Sequence, residues 1–302
     1  MFLPSSSTFY SELRAVLKSS MLHPKLIIHG GFFSESHTDA ATKLAKQESM
    51  SRIAKQAHQY LLTHTALETV VFACELLEDD ALFNAGTGSQ IQSDGKVRMS
   101  ASIMDGRSRK FSGVINIEAV KNPVRVAEKL LSFDDRVLGG EGATAFARAQ
   151  GFEVYDPRTA QRIGEWEAKV KARGTGTVGC VALDTSGNIA AATSTGGKGF
   201  EMVGRISDSA TVAGNFANHS VGISCTGVGE DIVSASLAAA IGTRVTDGAS
   251  LEEAFKKSFN ELAAFDGFAG AIGLTATGEV FHLDSHPSMV YAWTDGDILR
   301  LF

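Results

Sequence analysis

Two apolar runs held apart by five turn-forming residues constrain this chain more than any other feature. Thr177-Val178-Gly179-Cys180-Val181-Ala182-Leu183 and Ile189-Ala190-Ala191-Ala192-Thr193 flank Asp184-Thr185-Ser186-Gly187-Asn188. That order predicts strand, glycine-containing turn and strand, a β-hairpin.

The rest of the chain repeats the theme. Lys25 to Gly31 reads as a buried strand leaving into a turn. Thr38 or Asp39 can cap a helix that places Leu44, Met50, Ile53, Ala57 and Leu61 mostly on one face, and a second helix runs from about Ala66 to Leu77. Val97 to Ile103 and Phe111 to Ile117 are strand-like, Pro123 opens a helix in its first turn, and another helix covers Ala143 to Gln150. From Gly151 to Gly174 the residues turn polar and charged, which marks an exposed connector. Beyond the hairpin come a strand near Val221 to Cys225, helices over Asp231 to Ile241 and Leu251 to Phe265, and strands over Ala271 to Ala276 and Glu279 to Leu283. Strands in hairpins with helices in pairs predict antiparallel sheets covered by helices on their outer faces, an α+β fold in four layers.

Composition removes several alternatives. The balance of 28 Lys+Arg against 34 Asp+Glu, a net charge of -6, has the wrong sign for a nucleic-acid binder. Cys74, Cys180 and Cys225 are odd in number and far apart, which fits a reducing compartment, and the expected location is cytoplasmic. No basic-then-apolar leader opens the chain, and no window approaches the length of a membrane span, so neither secretion nor a membrane is expected. His282 and His286 lie in or beside a strand and share no helical face, so no catalytic metal is expected. The 31 glycines against 5 prolines point to tight turns and close backbone approaches.

Gly174-Thr175-Gly176-Thr177-Val178-Gly179 matches the dinucleotide fingerprint letter for letter. That fingerprint needs a strand before it and a helix after it, whereas a charged, helix-like stretch precedes this one and a hairpin follows. A different chemistry suits the same residues. A Thr that opens a strand after glycine, at the end of a connector, is well placed to become a new N-terminus. Freed there, Thr177 would offer a hydroxyl nucleophile together with an α-amino group of pKa about 7.7 to 8.0 as its own general base. Taken alone, the segment more often reads as a glycine-rich turn that starts a strand.

Six ordered motifs bear on that choice: Phe83-Asn84-Ala85-Gly86-Thr87-Gly88, Ser102-Ile103-Met104-Asp105-Gly106, Gly176-Thr177-Val178-Gly179, Ala192-Thr193-Ser194-Thr195-Gly196-Gly197, Gly204-Arg205-Ile206-Ser207-Asp208-Ser209 and Cys225-Thr226-Gly227-Val228-Gly229-Glu230. With Ile27-Ile28-His29-Gly30-Gly31, they make the chain resemble, over nearly its whole length, the plant-type L-asparaginase and isoaspartyl peptidase family of N-terminal-nucleophile threonine hydrolases. The resemblance implies a single domain, 1–302, folded as a four-layer αββα sandwich. It implies self-cleavage between Gly176 and Thr177 into an α chain, 1–176, ending in the connector at about 151–176, and a β chain, 177–302. It also implies cleavage of isoaspartyl dipeptides and of L-asparagine, and a homodimer of such αβ units.

Residue roles follow from the same resemblance. Thr177 would be the nucleophile, and Thr195 the neighbouring hydroxyl that orients it; Thr193 and Ser194 are expected to maintain a turn. Arg205 would clamp the substrate's α-carboxylate and Asp208 would meet its α-ammonium, so the substrate should be an aspartyl group linked through its side chain. Taken alone, Arg205 and Asp208 would more often be a surface ion pair. Thr226 and Gly227 would hold the oxyanion, with Asn84 assisting there or in self-cleavage. A structural sodium would sit among the backbone carbonyls of Leu77, Glu78, Asp80, Phe83, Ala85 and Thr87, and no catalytic cofactor is implied.

The chain departs from the family pattern at Phe32-Phe33-Ser34, at Ala210 to Phe216 and at Val228. These positions bear on pocket shape and on preference between free asparagine and isoaspartyl dipeptides. Two other readings stay open: a noncatalytic amino-acid binder that remains uncut on the same scaffold, and a glycosylasparaginase-like amidohydrolase.

Overall fold

Alternate residues of the predicted hairpin face two different cores. Val178, Cys180 and Ala182 join one apolar cluster, whereas Val181 and Leu183 join another. Side chains alternate across a strand, so this hairpin lies between two packed layers. The computed structural model describes residues 23–33, 40–168, 176–286 and 288–302.

Strands in chain order are β1 (Lys25–Phe32), β2 (Met99–Asp105), β3 (Lys110–Ile117), β4 (Val137–Gly139), β5 (Val178–Leu183) and β6 (Ile189–Thr195). They continue with β7 (Asn215–Ala217), β8 (Val221–Gly227), β9 (Ala269–Thr275), β10 (Val280–Asp284), β11 (Met289–Thr294) and β12 (Leu299–Leu301). The first sheet has the order β12-β11-β1-β5-β6-β2-β3-β4 and the second β10-β9-β8-β7. All pairings are antiparallel except β3 with β4.

Helices are α1 (Ala40–Leu61), α2 (Ala66–Glu78), α3 (Pro123–Leu130), α4 (Gly140–Ala149), α5 (Ala160–Glu167), α6 (Gly229–Ala235), α7 (Leu237–Thr246) and α8 (Leu251–Leu262). Helices α1 to α3 cover the outer face of the large sheet, and α7 and α8 cover the small one, with β5 and β6 packed on β8 between them. The four layers are therefore helix, sheet, sheet and helix, as expected. Thr65 and Glu68 close a capping box at the start of α2. The hairpin turn is fastened to the same helix start, because the Ala66 N–H donates to Asp184 Oδ2 at 3.1 Å.

Several boundaries differ from the sequence reading. The helix expected over Asp231 to Ile241 is two helices, α6 and α7, because Ser236 takes a left-handed φ of 48° between them. Strands β4 and β7, three residues each, are too short to carry a readable period. Thr193 and Ser194 lie inside β6 and not in a turn. The connector holds a helix, α5, and it is tied down: Trp166 Nε1 donates to the Gln92 carbonyl at 3.0 Å and Arg162 Nε to the Gly88 carbonyl at 2.8 Å. The proposed helix cap at Thr38 or Asp39, and Gly174 and Thr175, lie outside the described residues. Among the described residues, no helix is long and apolar enough to cross a membrane.

Candidate active site

Period-two alternation brings distant residues onto successive rungs between the sheets. Gly179 pairs with Thr193 across β5 and β6 and with His29 across β1 and β5. Facing this rung from the small sheet, Ser224 Oγ lies 2.8 Å from His29 Nε2 and 2.7 Å from Thr193 Oγ1. Two residues earlier on β8, a side chain at Gly222 would strike Val181, two residues beyond Gly179 on β5. The strands therefore run in step, and Thr226 falls on the next rung, with Thr177 and Thr195.

On that rung the Thr177 hydroxyl donates to the Thr195 hydroxyl at 3.2 Å. Both threonines are buried, with 5% and 4% of their surface exposed. Thr195 Oγ1 also accepts the Gly197 N–H at 3.2 Å, which fixes it from the other side. Thr226 is fully buried and, among the described residues, its hydroxyl has no partner. A buried hydroxyl without a partner is costly, and this one suits an oxygen that becomes charged only during reaction. Gly227 follows at φ 145°, and a Cβ there would come within 2.3 Å of the Phe268 carbonyl, so only glycine keeps the backbone in this position.

The inner rung carries no charge near neutral pH. Burial pushes the His29 imidazole down to about 3, against a smaller opposing effect of the Thr177 backbone. Behind β6, Ser194 Oγ donates to Glu78 Oε1 at 2.6 Å and the Val124 N–H donates to the same oxygen at 3.0 Å. Burial pushes this carboxyl up to about 8. Ser194 thus ties the strand that carries Thr195 to the end of α2.

At the other side of Thr226, Arg205 and Asp208 do not pair with one another. Arg205 instead donates through Nε and Nη2 to Glu230, at 3.1 and 2.9 Å. Asp208 is buried, its Oδ2 has no partner among the described residues, and burial pushes its carboxyl up to about 7. Both side chains converge on Gly229: a Cβ there would lie 2.8 Å from Asp208 Oδ1 and 2.9 Å from Arg205 Nη2. The structure therefore brings a cation and a carboxyl together at Gly229, three residues beyond Thr226 in the chain.

Asn84 is held at both ends of its side-chain amide. Its Nδ2 donates to the Gly197 carbonyl at 2.5 Å and its Oδ1 accepts the Gln90 N–H at 2.8 Å, so both ends of the amide hold loops. It still borders the Gly176-Thr177 bond, since a side chain at Gly176 would strike Asn84 Cβ at 2.5 Å. Sequence reasoning assigned no role to the side chains of His29, Ser224, Glu78 or Glu230. His29 and Glu230 stand within recognised motifs, whereas Ser224 and Glu78 carry no local signal because their partners lie on other elements, 31 to 195 residues away. Among the described residues, no group of three or more His, Cys, Asp or Glu could hold a metal ion.

Two face-to-face sheets between helix layers, with a threonine at the mouth of an inner strand, define the architecture of an N-terminal-nucleophile hydrolase. A family model described as asparaginase matches residues 22–300. The chain is 44% identical over 293 residues to an isoaspartyl peptidase/L-asparaginase of Synechocystis sp., covering 90% of this chain and 88% of the relative. It is 43% identical over 299 residues to one of Nostoc sp., covering 92% and 94%. To a plant-type L-asparaginase of Pyrococcus furiosus the identity is 36% over 301 residues, covering 89% and 95%. The chain belongs to the asparaginase family.

Proposed function

We propose that the chain is a self-processing threonine amidohydrolase that cleaves isoaspartyl dipeptides and hydrolyses L-asparagine to L-aspartate and ammonia. The observation that carries this reading is the buried Thr177–Thr195 hydroxyl pair, with the unpartnered Thr226 hydroxyl on β8, the strand packed against β5 and β6. Relatives named for both activities, at 44% and 43% identity, support it.

In the uncut chain, Thr177 Oγ1 attacks the Gly176 carbonyl carbon, the amide becomes an ester, and water splits the ester. The freed α-amino group of Thr177 then takes the hydroxyl proton as Oγ1 attacks the side-chain carbonyl of the substrate. The Thr226 hydroxyl and the Gly227 N–H meet the charge that develops on that oxygen. The leaving amine departs with the proton, and water releases aspartate from the ester on Thr177. Arg205 holds the α-carboxylate and Asp208 the α-ammonium, so the linkage must run through the side chain.

We further infer a structural sodium held by the carbonyls of Leu77, Glu78, Asp80, Phe83, Ala85 and Thr87. The donors suit a hard cation, and the Thr87 N–H donates to the Glu78 carbonyl at 2.7 Å, which draws the two ends of the loop together. Three buried, unpaired thiols suit a reducing cytoplasm, and a homodimer of cut units is the assembly expected from the family.

Intact-mass spectrometry of the purified chain at neutral pH tests the reading. The expected result is two species broken before Thr177, with release of aspartate from isoaspartyl dipeptides and from asparagine. Thr177→Ala should abolish both, and turnover in that variant would overturn the mechanism.

A further inference from the structure

Arginine can offer two paired faces to carboxylates: a side face, Nε with Nη2, and an end face, Nη1 with Nη2. In this protein Glu230 takes the side face of Arg205, Nε to Oε1 at 3.1 Å and Nη2 to Oε2 at 2.9 Å. Among the described residues, Nη1 has no hydrogen-bond partner, so the end face is free. Lys198 Nζ reaches Glu230 Oε1 at 3.0 Å and steadies the carboxylate from outside.

The two ends of the pair differ in exposure. The Arg205 side chain is 14% exposed and that of Glu230 49%. Glu230 is therefore the hydrated group, and it costs less to keep charged at the rim than a second buried carboxylate would. Gly229 lies between the guanidinium and Asp208, which sets the cationic and anionic groups a fixed backbone apart. Arg205, Lys198, Glu230 and ionised Asp208 sum to no net charge, which suits a zwitterionic α-carbon head that itself carries none.

We propose that Glu230 is a positioning residue: it grips the side face of Arg205 and so presents the end face to the substrate's α-carboxylate. The proposal rests on the amidohydrolase reading above and adds a residue to its substrate-recognition apparatus. Glu230 touches no reacting atom; it acts through Arg205. A guanidinium released from this grip would sample other rotamers, and misplacing a clamp weakens binding before it slows chemistry.

The experiment compares wild type with Glu230→Ala and Glu230→Gln on two substrates, an isoaspartyl dipeptide and the same compound with its aspartyl α-carboxylate converted to carboxamide. Glu230→Ala is expected to raise KM for the free carboxylate on the order of tenfold, with kcat within about twofold. Glu230→Gln, which keeps one acceptor, should recover part of that loss. The carboxamide should show almost no dependence on residue 230. A fall in KM in Glu230→Ala would overturn the proposal, because it would make Glu230 a competitor for Arg205. Equal weakening of both substrates would also overturn it, since that is what a general structural defect produces. Wild-type protein that neither cuts itself nor turns over either substrate overturns the amidohydrolase reading along with it, whereas an active wild type whose KM ignores Glu230 overturns this proposal alone.

Discussion

Thr177 and Thr195 face one another across the β5–β6 ladder with their hydroxyl oxygens 3.2 Å apart, and each is almost fully withdrawn from solvent. The second threonine has its own anchor in the Gly197 N–H, so its hydroxyl is fixed before the first one reacts. That asymmetry suits a pair in which one member moves and the other holds it in place.

Thr195→Val keeps the shape and removes the hydroxyl. The expected outcome is a fall in kcat of about a hundredfold, with KM little changed, because the nucleophile loses its orienting partner while the α-head contacts remain. Steady-state kinetics on an isoaspartyl dipeptide check this. A kcat within twofold of wild type would remove Thr195 from the mechanism.

Gly179 sits against the His29–Ser224–Thr193 chain, and a Cβ there would lie 2.0 Å from Ser224 Oγ and 2.4 Å from His29 Nε2. Gly179→Ala should therefore destabilise the fold by about 1–3 kcal/mol, the usual cost of overpacking. Urea denaturation measures it. The effect comes from lost space behind the nucleophile, so self-cleavage should slow even where the variant folds.

Asp208 must be ionised to meet an α-ammonium, and burial pushes its carboxyl up to about 7. As pH falls through that value the carboxyl takes up a proton and binding weakens. We expect kcat/KM to decline below about pH 7, a profile that reports the free enzyme. In Asp208→Asn the residual activity should keep only the acid limb set by the Thr177 α-amino group, so the decline below about pH 7 becomes shallower.

His29 contributes to stability in the opposite direction from a salt-bridged histidine. Unfolded, it titrates near 6.5; folded, burial lowers it to about 3. Between those values the unfolded chain binds the extra proton, so stability rises with pH and is lost as pH drops from about 6.5 toward 3. His29→Gln retains a partner for Ser224 and removes the proton site. Its melting temperature should vary less than that of wild type between pH 6.5 and 4, whatever its absolute value.

Much of this arrangement was legible in the sequence for identifiable reasons. The hairpin at Asp184 to Asn188 announces itself by turn chemistry, and the structure adds that Asp184 also accepts the Ala66 N–H. Thr177, Thr195, Thr226, Arg205 and Asp208 stand in local motifs, and all five converge on one end of the inner sheets. The contacts that organise them were not legible. His29 meets Ser224 across 195 residues, and Ser194 meets Glu78 across 116. Such pairs depend on how two sheets come into register, a property that no local period records. The left-handed Ser236 was hidden for another reason: the apolar period continues on both sides of it, so a break in the backbone left no mark in the pattern.

The order of the large sheet has a consequence for the lifetime of the molecule. β1 lies between β11 and β5, and β6 borders β2, so segments from before and after Gly176 are interleaved within one sheet. After a cut at the proposed bond, neither piece can leave without breaking ladders on both sides. Refolding would then require two separate chains to meet and weave together, where the precursor needed only one chain to collapse. Such a cut would exchange a renewable fold for a single-use one, and the working life of the cut protein would be set by how slowly it opens and not by the equilibrium that first assembled it.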